Sequence, residues 1–229
     1  MNRITNLGLI FTSPGTAARS IAEDPHWLLP LIVVLVVAFV FGFVTYKFQA
    51  EQQREFLEKI KEERGVDMDI DARLAPTTTR RVTSGLQSAA AIGIMFILIP
   101  ALVLNGFAKI TGGESSFRRM FALLSFAGLI TALSLLVKLP LVLAKQSIDV
   151  RTSAAMFAPS VGLQSPLYAF LNAFDVFAIW ELVAVCIGFS VLSGLAVKKS
   201  AAIVVGLWGL GVAILVGIAV ITSSLMGMA

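Results

Sequence analysis

Four polar side chains in the apolar C-terminal half of this 229-residue chain are the candidates for chemistry. Asp175 and Glu181 stand six positions apart, Asn172 precedes them, and Lys138 ends an earlier apolar run. Charged side chains at membrane depth are costly and normally face protein partners or a substrate path. Two interpretations therefore stay open: a proton- or substrate-linked transport site, and a structural polar clamp between helices.

Helix geometry decides which of these four side chains meet. Residues six apart point about 120° away from each other on an ideal helix. Asp175 and Glu181 are thus poorly placed to share a proton or a metal ion. Asn172 and Asp175 share a face, and Lys138 lies level with them if the two helices run antiparallel. The spacing predicts a Lys138–Asp175 contact and leaves Glu181 as a lateral docking group or a residue in a wet crevice.

The elements that must position these residues follow from composition. The chain is 57% hydrophobic and 14% charged, with a mean hydropathy of +0.88, whereas soluble chains carry about 25% charged residues. Crossing a hydrocarbon layer of roughly 30 Å takes about 20 apolar residues. We expect an all-α, polytopic transmembrane helical bundle with five spans, at about residues 27–46, 83–107, 117–137, 167–195 and 201–222. Pro100 predicts a kink inside the second span.

Two regions lie outside these spans. Residues 1–24 form an N-terminal segment in which Ser13 and Pro14 predict the start of a short helix on the membrane surface. Residues 25–229 form a single membrane domain that includes a charged loop at 47–81. In that loop, Glu51–Arg64 predicts a solvated helix that stops at Gly65.

Small residues recur every three or four positions in the last two spans, a spacing that lets helix backbones approach closely. The stripes allow two interpretations: ordinary packing inside one bundle, and the interface of a homodimer. Their members are Ala184 and Gly188 in the fourth span and Gly206, Gly209, Ala213 and Gly217 in the fifth.

Several function classes are excluded by residue types. One cysteine (Cys186) and one histidine (His26) rule out a disulfide framework, a thiolate cluster and multi-histidine metal chemistry. The Asp67-x-Asp69-x-Asp71 pattern lacks the glycine and the final acid of a calcium loop. We find no catalytic constellation and no basic face for nucleic acid, so we expect neither an enzyme nor a cofactor nor a metal.

Three stretches resemble the bacterial branch of the Yip family, five-span membrane proteins named for interaction with Ypt/Rab GTPases. The first is the segment 13–30, which leads into span 1, and the second is Gly-Gly-Glu-Ser-Ser-Phe at 112–117, where span 3 begins. The third is 172–180, followed by Gly188 and Lys198–Ala201, which runs from span 4 into span 5. The D-L-Y-G-P stretch of eukaryotic members is absent, so the resemblance does not imply GTPase binding here.

The resemblance implies a membrane organiser rather than a catalyst. We expect a scaffold or accessory subunit in the cytoplasmic (inner) membrane of a bacterium, with the bilayer, other membrane proteins or a second copy as partners. The alternative is a small transporter or lipid-handling protein with a polar site around Asp175. Counting Lys and Arg alone favours an outside N-terminus, whereas the family analogy implies a cytoplasmic one.

Overall fold

The computed structural model describes residues 3–65, 67–114, 116–163 and 165–225. In this part of the chain the structure is helical and contains no strand, and five helices are long and apolar enough to cross a membrane. This confirms the all-α bundle with five spans. The elements are α1 (Arg3–Thr12), α2 (Pro14–Glu23), α3 (Leu28–Arg64), α4 (Ile70–Leu74), α5 (Thr78–Ala91), a π-helix (Ile92–Leu98), α6 (Ile99–Ile110), α7 (Phe117–Lys145), a 3-10 turn (Ala154–Phe157), α8 (Pro166–Asn172), α9 (Val176–Ser193) and α10 (Val197–Leu225).

The first span is the membrane part of a much longer helix. Helix α3 continues without a break from Leu28 to Arg64 and ends at Gly65, which adopts a left-handed φ of 61°. The predicted helix at Glu51–Arg64 and its stop at Gly65 are confirmed. Much of the region expected as a charged loop is therefore a helical extension of span 1, because charged residues with good helix propensity continue the hydrogen-bond ladder into water.

Spans 1 and 2 cross at two glycines that the sequence analysis did not single out. A Cβ on Gly42 would lie 2.7 Å from the carbonyl oxygen of Ser84, and one on Gly85 would lie 2.8 Å from that of Phe39. The hydroxyl of Ser84 donates to the carbonyl of Gly42 at 3.1 Å. Small residues allow this close approach.

Span 2 contains a π-helix in place of a simple proline kink. Pro100 stands in the first turn of α6, and the seven residues before that helix are wound as a π-helix. The N–H of Ile99 bonds five residues back, to the carbonyl of Ile94. The wider turn accommodates the proline, whose ring and missing N–H disturb the α-helical pattern at this point.

Helix α7 is the centre of the bundle, since 67% of its apolar stretch is buried against other helices. Phe126 and Leu123 are part of its core, together with Phe189 from α9. By contrast, only 11% of the apolar stretch of α10 is buried. The last span lies at the edge of the described bundle.

The expectation of one continuous fourth span at 167–195 is corrected. The structure divides it into α8 and α9, with Asp175 as the N-cap of α9. An aspartate favours this position because its side chain accepts a backbone N–H that the first helical turn leaves unpaired. Asp175 therefore begins the span instead of lying within it.

The N-terminal segment contains two helices, and the apolar side of the second is covered by protein. Ala17, Ala18 and Ile21 of α2 are buried. The N-terminal helices pack closely on α9. A Cβ added to Gly15 would lie 3.5 Å from Ile187, and the Phe11 ring packs edge-on against Trp180 with 5.7 Å between ring centroids. The sequence predicted that this helix lies on the membrane surface. In the structure its apolar side packs instead on α9, the fourth span.

Candidate functional site

Asp175 is held by donors from three parts of the chain. The Lys138 ammonium lies 3.1 Å from its Oδ2, which also accepts a hydrogen bond from the Thr152 hydroxyl. Its Oδ1 accepts the backbone N–H of Phe177 at 2.9 Å. The Lys138–Asp175 contact expected from the sequence is present, and the carboxylate is satisfied by α7, the loop at 146–153 and its own helix.

Asn172 belongs to the same polar cluster. Its Oδ1 accepts a hydrogen bond from Ser153 Oγ at 3.1 Å, and the N–H of Ala154 bonds to the carbonyl of Phe174 at 3.2 Å. Ser153 and Asp175 form an isolated antiparallel bridge. The α8–α9 junction is thus bound to the loop by backbone and side-chain contacts together. We call Lys138, Thr152, Ser153, Asn172 and Asp175 the clamp.

The loop that supplies Thr152 and Ser153 to the clamp is itself organised by Arg151. Its guanidinium pairs with Asp149, with 2.7 Å between Nε and Oδ1, and donates to the carbonyls of Ala158 and Val161 at 2.7 and 2.9 Å. The hydrogen bond to Asp149 raises the pKa of the Arg151 guanidinium. A permanently charged, multiply bonded arginine fixes the loop that presents Thr152 to Asp175.

Glu181 lies apart from the clamp. At 1.5 Å of rise per residue it sits about 9 Å further along α9 than Asp175. Among the described residues, its one hydrogen-bond donor is the hydroxyl of Thr131 on α7. The structure therefore keeps Asp175 and Glu181 apart, in agreement with the prediction from their spacing.

Glu181 lines a cleft of about 800 Å³ between spans 2, 3, 4 and 5, which we call the lateral cleft. Lys138, Asn172 and Asp175 reach one part of it. The remaining surface is mainly apolar and aromatic, and its members include Phe96, Pro100, Phe107, Phe177, Trp208 and Ile214. Sites for small molecules typically combine such walls with a few polar groups.

Sequence reasoning missed the cleft, the Thr131 donor in its wall and the Thr152 donor in the clamp. Thr131 and Thr152 carried no signal, because a lone threonine in an apolar run or a loop is ordinary. Pro100 did carry a sequence signal near the cleft. Both Pro100 and Phe96, which lies on the π-helix before it, line the cleft. π-Helical turns are frequent at functional sites.

The two small-residue stripes have different surroundings. Ala184 is buried in the bundle core, and a Cβ on Gly188 would collide with the side chain of Leu123 on α7. A Cβ on Gly206, Gly209 or Gly217 of α10 would meet open space, and Ala213 is exposed. The stripe of span 4 packs inside the bundle, whereas that of span 5 faces away from it.

The residues considered as metal ligands have structural roles where they are described. Asp69 caps α4 by accepting the N–H of Ala72 at 2.9 Å, and Asp71 pairs with Arg54 at 2.7 Å. The His26 ring packs edge-on against Phe126, with 5.3 Å between ring centroids. Over the described ranges, no group of three or more His, Cys, Asp or Glu side chains is placed to hold a metal ion.

Comparison with known proteins identifies the family. The model of the Yip1 domain matches residues 7–218. Membrane protein YknW of Bacillus subtilis (strain 168) is 26% identical over 189 residues, which cover 82% of this chain and 79% of that protein. No solved structure matches. The chain therefore belongs to the Yip1 domain family of membrane proteins.

Proposed function

We propose that this Yip1-family protein is a non-enzymatic scaffold or accessory subunit of a bacterial inner membrane, with its N-terminus in the cytoplasm. The observation that carries the proposal is the length of α3. About 20 residues cross the hydrocarbon layer, so the remaining 17 or so extend about 25 Å beyond it. We call residues 51–64 the arm.

The arm is stiffened by the segment that follows it. Ile70 and Leu74 of α4 are buried against Ala50 at the base of the arm. Arg54 pairs with Asp71 at 2.7 Å, and the Lys61 ammonium donates to the carbonyl of Met68 at 3.3 Å. Residues 47–81 carry basic and acidic side chains in equal number. A rigid element with both signs of charge suits contact with the aqueous domain of another membrane protein.

The edge position of α10 supports the same proposal. Its outward face carries the glycines that meet open space, and such surfaces allow close helix–helix contact in lipid. Contact with a partner span or with a second copy of this chain would use that face.

Transport through a site at Asp175 has less support. All three donors to its carboxylate come from this chain, and Lys138 already neutralises its charge. Three of the roughly four lone-pair sites of this carboxylate are thus occupied, which leaves little capacity to exchange a proton or substrate. This argument applies to Asp175 only, and it does not bear on lipid binding in the lateral cleft.

Breaking the arm tests the scaffold proposal. Gln53→Pro removes one helical hydrogen bond and distorts α3 beyond the membrane, while Gln53→Ala keeps the helix. Photo-crosslinking from the arm in native membranes should give a discrete product with the Ala variant that the Pro variant lacks. Equal amounts of both variants must reach the membrane, as checked by immunoblot. Absence of any product from several arm positions in the unaltered helix would contradict the proposal.

Orientation is tested with single cysteines. In a Cys186→Ala background, Gln53→Cys labels the arm side, and Lys198→Cys labels the opposite end of the bundle. A membrane-impermeant maleimide added to intact spheroplasts should modify position 53 and reach position 198 only after lysis. The reverse pattern would place the N-terminus outside.

A further inference from the structure

We propose that the lateral cleft binds a membrane amphiphile with an apolar chain and a protonated amine head, and that Glu181 accepts the hydrogen bond from the head. The inference concerns a site that the scaffold proposal does not use. It stands on the partners of Glu181, the charge balance of the cleft, and the volume and opening of the cleft.

Glu181 has unused acceptor capacity. A carboxylate offers about four lone-pair sites, and among the described residues Thr131 alone donates to it. Polar groups in hydrocarbon have no water to complete their bonding, and an intramembrane carboxyl normally marks a site with a specific partner. A ligand that binds to the Glu181 carboxylate must therefore supply a hydrogen-bond donor.

Charge balance indicates the sign of that donor. Three ionisable side chains line the described cleft: Lys138, Asp175 and Glu181. The first two form a pair with 3.1 Å between Nζ and Oδ2. The third, Glu181, is balanced in its ionised form by a single positive charge, which an ammonium supplies together with its N–H donors. A carboxylate or phosphate head supplies no positive charge and would be repelled by the ionised Glu181.

The size of the cleft suits a small amphiphile. Its volume of about 800 Å³ lies within the range of roughly 300–1,000 Å³ that is usual for small-molecule sites.

The cleft opens sideways, where lipid would be. Phe96 on the π-helix is 57% exposed, and Leu210 and Ile214 on α10 are 57% and 54% exposed, although all three line the cleft. These residues belong to the two spans with the least burial, 17% and 11%. An amphiphile can therefore enter from the bilayer with its chain against the aromatic walls and its head at Glu181.

Photoaffinity labelling tests the proposal with the full-length protein in phosphatidylcholine nanodiscs. The probes are a diazirine-bearing C16 primary amine and the matching alcohol and carboxylic acid. The amine should label peptides of the π-helix and α10, and the acid should not. Glu181→Gln keeps an acceptor for Thr131 but removes the charge, so amine labelling should fall about tenfold, the loss of one charge-assisted hydrogen bond. Glu114→Gln, in the α6–α7 loop, should change nothing.

A second pair of variants tests the cleft independently of the carboxyl. Gly211 lines the cleft and Gly209 does not, and a Cβ at either meets open space. Gly211→Leu should block labelling by the amine, while Gly209→Leu should not. Equal labelling by amine and acid, or labelling unchanged by both Glu181→Gln and Gly211→Leu, would overturn the proposal. A photo-crosslinker at position 211 that captures a polypeptide in native membranes would assign the cleft to a partner protein instead.

Discussion

Asp175 and Glu181 are two carboxyl groups on one short stretch of chain with opposite surroundings. Asp175 receives bonds from Lys138, Thr152 and Phe177 and ties a loop to two helices. Glu181, about 9 Å further along the helix, receives one described bond, from Thr131, and faces a cleft. The two groups thus differ in the number of partners that they have within the chain, and this number is what distinguishes the structural carboxylate from the one proposed to bind a ligand.

The largest effect is expected from removing the clamp carboxylate. Asp175→Ala leaves Lys138 without its counter-ion and α9 without its N-cap, and should lower the free energy of unfolding by about 3 kcal/mol. Thermal unfolding in mild detergent, followed by near-UV circular dichroism, measures it. Asp175→Asn retains the cap and should lose about half as much. Equal unfolding temperatures for wild type and Asp175→Ala would show that the clamp does not stabilise the bundle.

A double-mutant cycle compares the two carboxyl groups directly. Lys138→Met combined with Asp175→Asn should give a coupling energy of about 1–2 kcal/mol, because the two side chains are in contact. The same lysine variant combined with Glu181→Gln should give less than about 0.5 kcal/mol. Denaturant titration of the four variants in each cycle provides the energies. Stronger coupling of Lys138 to Glu181 than to Asp175 would reverse the assignment of the clamp.

A smaller loss is expected from a single loop hydroxyl. Thr152→Val removes one of three donors to Asp175 and should lower the free energy of unfolding by about 1 kcal/mol. Thr83→Val is the matched control, because that hydroxyl bonds within its own helix, to the carbonyl of Thr79. Thermal unfolding temperatures of the two variants should separate. If they coincide, the loop contact contributes nothing beyond ordinary helix bonding.

The smallest stability change is expected at Glu181. Glu181→Gln keeps an acceptor for Thr131 and leaves no charged partner behind, so its free energy of unfolding should differ from wild type by less than about 0.5 kcal/mol. The same thermal assay measures it. A loss comparable to that of Asp175→Ala would identify Glu181 as a second clamp and remove the contrast between the two groups.

Part of the candidate site could be predicted because it depends on local periodicity. Antiparallel neighbours joined across a loop place Lys138 level with Asp175. Asn172 joins the same cluster through Ser153 and not through the shared helix face that its three-residue spacing predicted, because the helix is interrupted between Asn172 and Asp175. The position of Asp175 could not be predicted as well, since an apolar run with one aspartate is compatible with a continuous span. The loop decided it, because Thr152 and Ser153 bond to the junction and separate α8 from α9.

The small-residue stripes also separate what sequence spacing predicts from what tertiary packing decides. The four-residue spacing of Ala184 with Gly188 and of Gly209 with Ala213 and Gly217 gives similar stripes in the sequence. In the structure Gly188 packs against Leu123, whereas Gly209 and Gly217 meet open space. The close approach at Gly42 and Gly85 also lies on four-residue pairs of small residues, Ala38 with Gly42 and Gly85 with Ala89, but only the structure shows that one glycine from each helix forms it.

The sequence by itself determined that this protein crosses a membrane as five helices, because burial of apolar length is a property of each segment alone. It also determined where the arm of span 1 stops. Only the tertiary structure decided how many donors each carboxyl has within the chain, since that depends on the loops and neighbouring helices around each one. Residues distant in the chain, such as Thr131 and Thr152, supply those contacts, and no local pattern records them.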